Sequence, residues 1–210
     1  EISCSLVGSE MCIRDSSISA QKIALRYNVS RTPAREAIVN LEKEGLLKVI
    51  PQSGTYVACI NCKRSEQEWF VRKSLEIGMV DAIFKNASAD MLDKMAELNN
   101  RLINYDEETE SIPRIEIDNE FHQLIYECSG EQLAKNIIKT QMSHYNRIRY
   151  LAELNKNISV KTNDEHNMLI DAIRNKDKRM YLRVIKAHIS RIFNELDKLK
   201  GIYPEYFEKN

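Results

Sequence analysis

Four polar side chains with metal-binding chemistry fall where apolar helix faces are expected. Asp118 and His122 are four residues apart, so a helix places them on one face, which Ile125 continues. His166 and His188 each accompany isoleucines spaced as on an apolar stripe. Because a buried imidazole or carboxylate needs a partner, we expect the four to converge. Three imidazoles and one carboxylate form a ligand set for a first-row transition metal, with positions left for water or another ligand.

A second interpretation is open for each histidine taken alone, namely a core imidazole bonded to a backbone carbonyl. Coincidence would then have to place three of the chain's four histidines on apolar stripes, which favours the metal interpretation for the set. The fourth, His144, lies on a predicted helix whose inward face the pattern does not assign.

A different chemistry is concentrated at the start of the segment VSRTPAREAIVNLEKEGLL, residues 29–47. Hydroxyls, guanidinium groups and free backbone N–H groups in a first helical turn suit phosphates and guanine edges in a DNA major groove. The residues that supply them are Ser30, Arg31, Thr32 and Arg35. The same residues also fit an ordinary capped surface helix, and spacing alone does not separate the two interpretations.

The elements around this segment predict how it is positioned. Ser19 caps a short helix, Asn28 supplies a turn, and Gly45 ends the helix that follows. Two β-prone runs then flank the turn from Pro51 to Gly54, which predicts a hairpin. Helix, turn, helix and hairpin together predict a winged helix-turn-helix over residues 17–60.

The rest of the chain shows helical patterns and no strand pattern. After a polar linker at 61–65, we predict an all-α bundle of about six helices over 66–200 and a tail at 201–210. Thr162 and Glu165 form a capping box that would begin the fifth helix. The predicted helices span 66–85, 89–105, 114–128, 131–155, 163–175 and 178–199. The fold class is therefore mainly α.

Composition and cysteine spacing argue against a membrane-spanning protein and against a secreted, disulfide-bonded one. Basic and acidic residues balance at 31 each, although residues 20–60 carry six basic and three acidic ones, and no run approaches the roughly 20 apolar residues of a membrane span. Five cysteines without framework spacing suit a reducing compartment, so we expect a cytoplasmic protein without membrane contact. Cys59 and Cys62 form a C-x-x-C that is either an incidental pair or a metal or redox site.

The first sixteen residues follow no helical or strand period and lack the order of a signal peptide. They resemble translated sequencing-adapter read-through, so we exclude them from the fold and expect the winged helix to be truncated at its start.

The segment VSRTPAREAIVNLEKEGLLKVIPQSGTYV resembles the winged-helix half of the GntR family of bacterial transcription regulators, over about residues 19–58. The resemblance implies that Arg31 and Arg35 contact operator DNA, with Ser30 and Thr32 beside them. It also implies that the wing tip at Gly54 approaches the minor groove. Upstream, the family has a further helix and a P-G turn that residues 1–18 do not show.

The segments IDNEFHQLIYECSG, DEHNMLIDAIRNKD and YLRVIKAHI are similar to the FCD effector-binding domain of the FadR-type branch of that family, over about residues 66–192. In its metal-binding members this pattern holds a divalent metal, here zinc, nickel or manganese. The implied ligands are Asp118, His122, His166 and His188.

Three functions follow as hypotheses. The first is a homodimeric, ligand-responsive regulator that binds double-stranded operator DNA and senses a small carboxylate at the metal, with Arg72, Arg147 and Arg149 as candidate clamps for that effector. The second is a metal-dependent hydrolase or oxygenase. Four protein ligands would leave less room for catalysis, and the presence of a winged helix also disfavours an enzyme. The third is a DNA-binding regulator with a purely structural metal.

Overall fold

The computed structural model describes residues 18–110, 112–154 and 156–208, with side chains omitted for 156–160. The prediction for residues 1–16 lies outside the described residues. The N-terminal part begins with two helices, α1 (Ala20–Tyr27) and α2 (Arg31–Lys43). The Ser19 hydroxyl accepts a hydrogen bond from the Lys22 N–H at 3.2 Å, and Asn28 ends α1 at a φ of 51°. The predicted helix-turn-helix is therefore present.

A two-stranded antiparallel hairpin completes this part. Strands β1 (Leu47–Ile50) and β2 (Gly54–Val57) pair with Leu47 opposite Val57 and Ile50 opposite Gly54. Gln52 and Gly54 take φ angles of 62° and 135°, which let the tight turn close. A small apolar cluster joins α1, α2 and β1. The winged helix thus has a core of its own.

The C-terminal part is a helical bundle around a larger apolar core. None of the helices in the described residues is long and apolar enough to cross a membrane. The helices are α3 (Cys62–Gly78), α4 (Val80–Asn86), α5 (Ala89–Ile103), α6 (Arg114–Ser129), α7 (Gln132–Thr140), α8 (Ser143–Glu153), α9 (Lys156–Arg174), α10 (Lys178–Asn194) and α11 (Leu196–Ile202).

The predicted linker at 61–65 is wrong, because α3 begins at Cys62. The Asn61 side chain accepts a hydrogen bond from the Arg64 N–H at 2.8 Å, so the polar run that suggested a connector is a capped helix start. The first predicted bundle helix is also divided at Met79, a residue only 2% exposed that follows Gly78.

The predicted helix at 131–155 is two helices, with Gln141 and Met142 between them. The break lets the Glu68 carboxylate accept a hydrogen bond from the backbone N–H of Tyr145 at 2.8 Å, in the first turn of α8.

Two further predicted helix boundaries are also corrected. Helix α9 begins at Lys156 and not at a capping box, so the Thr162 hydroxyl lies inside it and accepts from Arg191 Nη1 at 3.1 Å. The predicted helix at 178–199 is divided, since α10 ends at Asn194 and α11 begins at Leu196.

The predicted tail is in part an ordered brace. Ile60, just before α3, forms a parallel bridge with Phe207, and both side chains are buried. The Ile60 N–H donates to the Tyr206 carbonyl at 2.7 Å, and the Glu208 N–H donates to the Ile60 carbonyl at 3.0 Å. The C-terminal segment therefore holds the connection between the winged helix and the bundle.

Candidate metal centre and nucleic-acid interface

Three helices bring the four predicted metal ligands together inside the bundle. Helix α6 supplies Asp118 and His122, α9 supplies His166, and α10 supplies His188. One nitrogen from each of the three histidines lies within 4.8 Å of the others. His122 Nε2 is 3.0 Å from His188 Nε2, and Asp118 Oδ1 is 3.5 Å from His166 Nε2. The cluster has the size and donor types of a metal site.

Two of the facing atoms are buried without any hydrogen-bond partner in the described residues, Asp118 Oδ1 and His166 Nε2. Leaving a polar atom buried and unpaired costs about 1–3 kcal/mol. A divalent cation between the carboxylate oxygen and the imidazole nitrogen would satisfy both atoms at once. The residues present therefore fit a transition metal.

Neighbouring side chains orient two of the imidazoles. His166 Nδ1 bonds to Asn99 Oδ1 at 3.2 Å, and His188 Nδ1 bonds to Glu165 Oε2 at 2.8 Å. With Nδ1 engaged in this way, Nε2 is the nitrogen that faces the cluster. His122 Nδ1 is buried without a partner in the described part of the chain, so its ring has no comparable support.

The electrostatics keep the imidazoles ready to bind a metal. Burial lowers the pKa of His166 to about 3 and that of His188 to about 4, and it holds the pKa of His122 well below its usual value. Burial alone would raise the pKa of Asp118, but Arg149 and the three histidines more than offset this effect and hold its carboxyl well below its usual range. At neutral pH the cluster thus presents neutral imidazoles and an ionised carboxylate, the protonation states that a metal requires.

A small cavity of ≈ 60 Å³ adjoins Asp118 and His188. Three arginines line it, of which Arg72 and Arg149 were predicted and Arg191 was not. Arg191 lies three residues after His188 on α10, so helical spacing from a predicted ligand could have identified it.

Arg147, the third arginine predicted to clamp the effector, is not among the residues that line this cavity. Arg147 lies two positions before Arg149, which puts the two side chains on opposite faces of α8. Arg147 Nη1 donates to the Ala58 carbonyl at 2.6 Å, on the side of the winged helix.

Each cavity arginine faces a carboxylate. Arg72 Nε donates to Glu76 Oε1 at 2.6 Å, and Arg149 Nη2 contacts Asp118 Oδ2 at 2.5 Å. Arg191 is paired with Glu165. The charges around the cavity are therefore matched by the protein's own residues.

The residues predicted to bind DNA lie together on the surface of the winged helix. Ser30, Arg31, Thr32 and Arg35 are all exposed at the start of α2. Ser30 occupies the cap position but makes no side-chain cap hydrogen bond, so its hydroxyl does not serve the helix. Gly54 lies at the turn of the hairpin. The arrangement presents hydroxyls and guanidinium groups on one helix end.

The C-x-x-C pair does not join the metal centre. Cys59 and Cys62 are free, half-buried thiols, and Cys59 Sγ lies 3.9 Å from the Glu205 carbonyl oxygen. Within the described ranges, the group of three metal-capable side chains is His122, His166 and His188.

Comparison with known proteins agrees with both halves of the chain. Residues 69–191 match the FCD domain, and residues 15–57 match the bacterial regulatory proteins of the gntR family. An uncharacterized HTH-type transcriptional regulator of Streptomyces ambofaciens is 26% identical over 192 residues, 90% of this chain and 80% of that protein. The HTH-type transcriptional repressor RspR of Escherichia coli is 24% identical over 198 residues, 91% of this chain and 84% of that protein.

Solved structures share the fold. McbR/YncC of E. coli superposes with a TM-score of 0.73 at 19% identity, covering 97% of this chain and 99% of that chain. A GntR regulator of Rhodococcus gives a TM-score of 0.71 at 13% identity, covering 96% and 97% of the two chains. The protein is thus a transcription regulator and not an enzyme, with a DNA-binding helix-turn-helix followed by an effector domain. This chain belongs to the GntR family of bacterial regulators, in the FadR-type branch that carries an FCD domain.

Proposed function

We propose that this regulator senses a small organic acid at a divalent transition metal, zinc, nickel or manganese, held by Asp118, His122, His166 and His188. The observation that carries the proposal is the pair of unpartnered buried atoms, Asp118 Oδ1 and His166 Nε2, that face each other 3.5 Å apart. A bound metal would act as a Lewis acid that attracts an anionic ligand.

The charge balance supports an anionic effector. Because the cavity arginines are already matched by carboxylates and the imidazoles are neutral, a divalent cation adds two positive charges to an enclosed site. A carboxylate ligand would offset that excess, and four protein ligands leave coordination positions open for it in an octahedral site. Arg72, Arg149 and Arg191 then provide donors for a second polar group of the effector.

The winged helix would be the part of the protein that binds DNA. We propose that Ser30, Arg31, Thr32 and Arg35 enter the major groove of operator DNA, and that the wing at Gly54 approaches the minor groove. Two copies would bind a two-fold operator as a homodimer in the cytoplasm.

Elemental analysis of protein purified without an affinity tag tests the metal site. We expect about one metal ion per chain, lost in His166→Ala and His188→Ala. A screen of small carboxylates against metal-loaded and metal-stripped protein then tests sensing. Wild-type protein that holds no metal after reconstitution would refute the site. A metal that stabilises the fold while no carboxylate binds would favour a structural metal.

A further inference from the structure

Helix α8 is bonded to the DNA-binding half through its first turn. Ser143 Oγ donates to the Glu44 carbonyl at 2.7 Å, at the residue that caps the end of the proposed recognition helix α2. The next residue, His144, accepts a hydrogen bond at Nδ1 from the Asn61 N–H at 3.1 Å. In both contacts a side chain of the bundle bonds to a backbone group of the N-terminal part. Their geometry therefore depends on where that backbone lies and not on which side chains it carries.

The next turn of α8 adds a third contact. Arg147 Nη1 donates to the carbonyl of Ala58, the residue that follows strand β2. The fit is close, since a Cβ at Gly45 would lie 3.0 Å from His144 Nε2. The end of the recognition helix, the end of the wing and the connector are therefore all fastened to one stretch of α8.

The opposite face of the same helix is bonded to the candidate metal centre. Arg149 contacts Asp118 Oδ2 at 2.5 Å. The Tyr145 hydroxyl donates to the Ile189 carbonyl at 2.9 Å, and Ile189 follows His188 in α10. Helix α8 therefore contacts two of the three helices that carry the candidate ligands, α6 and α10.

The two sets of contacts are close together along α8. Arg149 lies five positions after His144, about 7.5 Å of helix rise, so a displacement of one residue moves the other with it. The Glu68 carboxylate, bonded to the Tyr145 N–H at 2.8 Å, holds the helix start against α3 between them.

We propose that α8 is the element that transmits occupancy of the metal site to the winged helix. The proposal rests on the proposed metal site. A metal or effector that changes how Asp118 engages Arg149 shifts α8 as a rigid unit, and Ser143, His144 and Arg147 pass the shift to the backbone at Glu44, Asn61 and Ala58. By thermodynamic reciprocity, DNA that fixes the winged helix changes the affinity of the metal site by the same factor.

Hydrogen–deuterium exchange on the full chain tests this route, with zinc alone as the probe and chelator-treated protein as the reference. In wild type, zinc should slow exchange in α6, α9 and α10 and also in residues 44–61, by about five-fold or more, the lower end of typical coupling. In the Ser143→Ala/His144→Ala double variant, the effect at the site helices should persist while most of the effect at 44–61 is lost, since of the three contacts only that of Arg147 with Ala58 then remains.

Two further variants separate positioning from general destabilisation. His144→Asn keeps an acceptor near the Nδ1 position and should restore part of the response at 44–61. Gln141→Ala, an exposed change just before α8, should leave the whole response unchanged. Zinc protection confined to the site helices in wild type would overturn the transmission route while leaving the metal site intact. Zinc that protects no helix would refute the metal site and the route together.

Discussion

Stabilisation by metal is the most direct test of the buried cluster, and His166→Ala is the perturbation that isolates it. The ligands come from three helices that are distant in sequence, so a metal that bridges them binds the folded domain and not the unfolded chain. At a free zinc concentration of 100 times the dissociation constant, the folded state gains about 2.7 kcal/mol. For a chain of this size that corresponds to a rise in Tm of about 5–11 °C.

Without metal, the effect of His166→Ala on stability combines two opposing contributions. The substitution removes the stacking of the ring on Phe121, at a centroid distance of 3.9 Å, and the hydrogen bond to Asn99. It also removes the buried, unpartnered Nε2, whose desolvation costs about 1–3 kcal/mol. We therefore expect the free energy of unfolding of metal-free His166→Ala to fall by less than the complete burial of the imidazole alone would suggest. The same variant should lose almost all of its stabilisation by zinc.

His144→Ala is the matched control, since it also removes a buried imidazole from the bundle but lies outside the cluster. Differential scanning calorimetry of chelator-treated protein, with and without zinc at pH 7.5, compares the three proteins. Zinc bound by the free cysteine thiols would act on all three alike, so the difference between the variants isolates the cluster. An equal zinc response in His166→Ala and His144→Ala would refute the reasoning.

Three further predictions address the winged helix, the domain junction and the pH response. Arg31→Ala and Arg35→Ala should each weaken operator binding by about 1–3 kcal/mol in fluorescence anisotropy, while Lys43→Ala at the far end of the same helix should not; equal losses in all three would indicate non-specific charge. Gly45→Ala should destabilise the fold, because φ is +76° and the added Cβ meets His144 Nε2 at 3.0 Å. In urea unfolding, the loss of stability should be smaller in a His144→Ala background. An equal loss in both backgrounds would show that the contact is not the cause. Burial lowers the pKa of two cluster histidines to about 3 and about 4, so the unfolded chain takes up their protons first. Metal-free stability should therefore fall as pH drops from about 6.5 toward 4, by about 1.4 kcal/mol per pH unit for each histidine, and a flat urea-unfolding profile would contradict this.

Helical periodicity was sufficient to predict which side chains converge. Asp118 and His122 share a face by local geometry alone, and the apolar neighbours of His166 and His188 predict the inward direction that brings their nitrogens to the cluster. The residues that support the ligands were not predicted in that role. Asn99 reaches His166 from α5, a helix with no pattern that links it to the cluster.

The predicted helix at 131–155 failed for a physical reason that local sequence does not show. The break at Met142 serves the contact between Glu68 and the Tyr145 N–H, and this contact depends on packing between helices far apart in sequence. The sequence likewise does not show the direction of Arg147, because its face of α8 is decided by the junction with Ala58 and not by any local pattern. Local sequence specifies an element more strongly than it specifies what that element contacts.

The brace at the C-terminal segment has a consequence for biosynthesis. Asn61 Nδ2 donates to Glu208 Oε2 at 2.6 Å, and 147 positions of chain separate the two residues. At about 5–20 residues per second, the ribosome completes that stretch about 7–30 s after the connector is made. During this interval a nascent winged helix can close its own small core and bond to α8, but Ile60 and Asn61 still lack their C-terminal partners. Translation must therefore reach Phe207 and Glu208 before the last bonds that hold this connector can form.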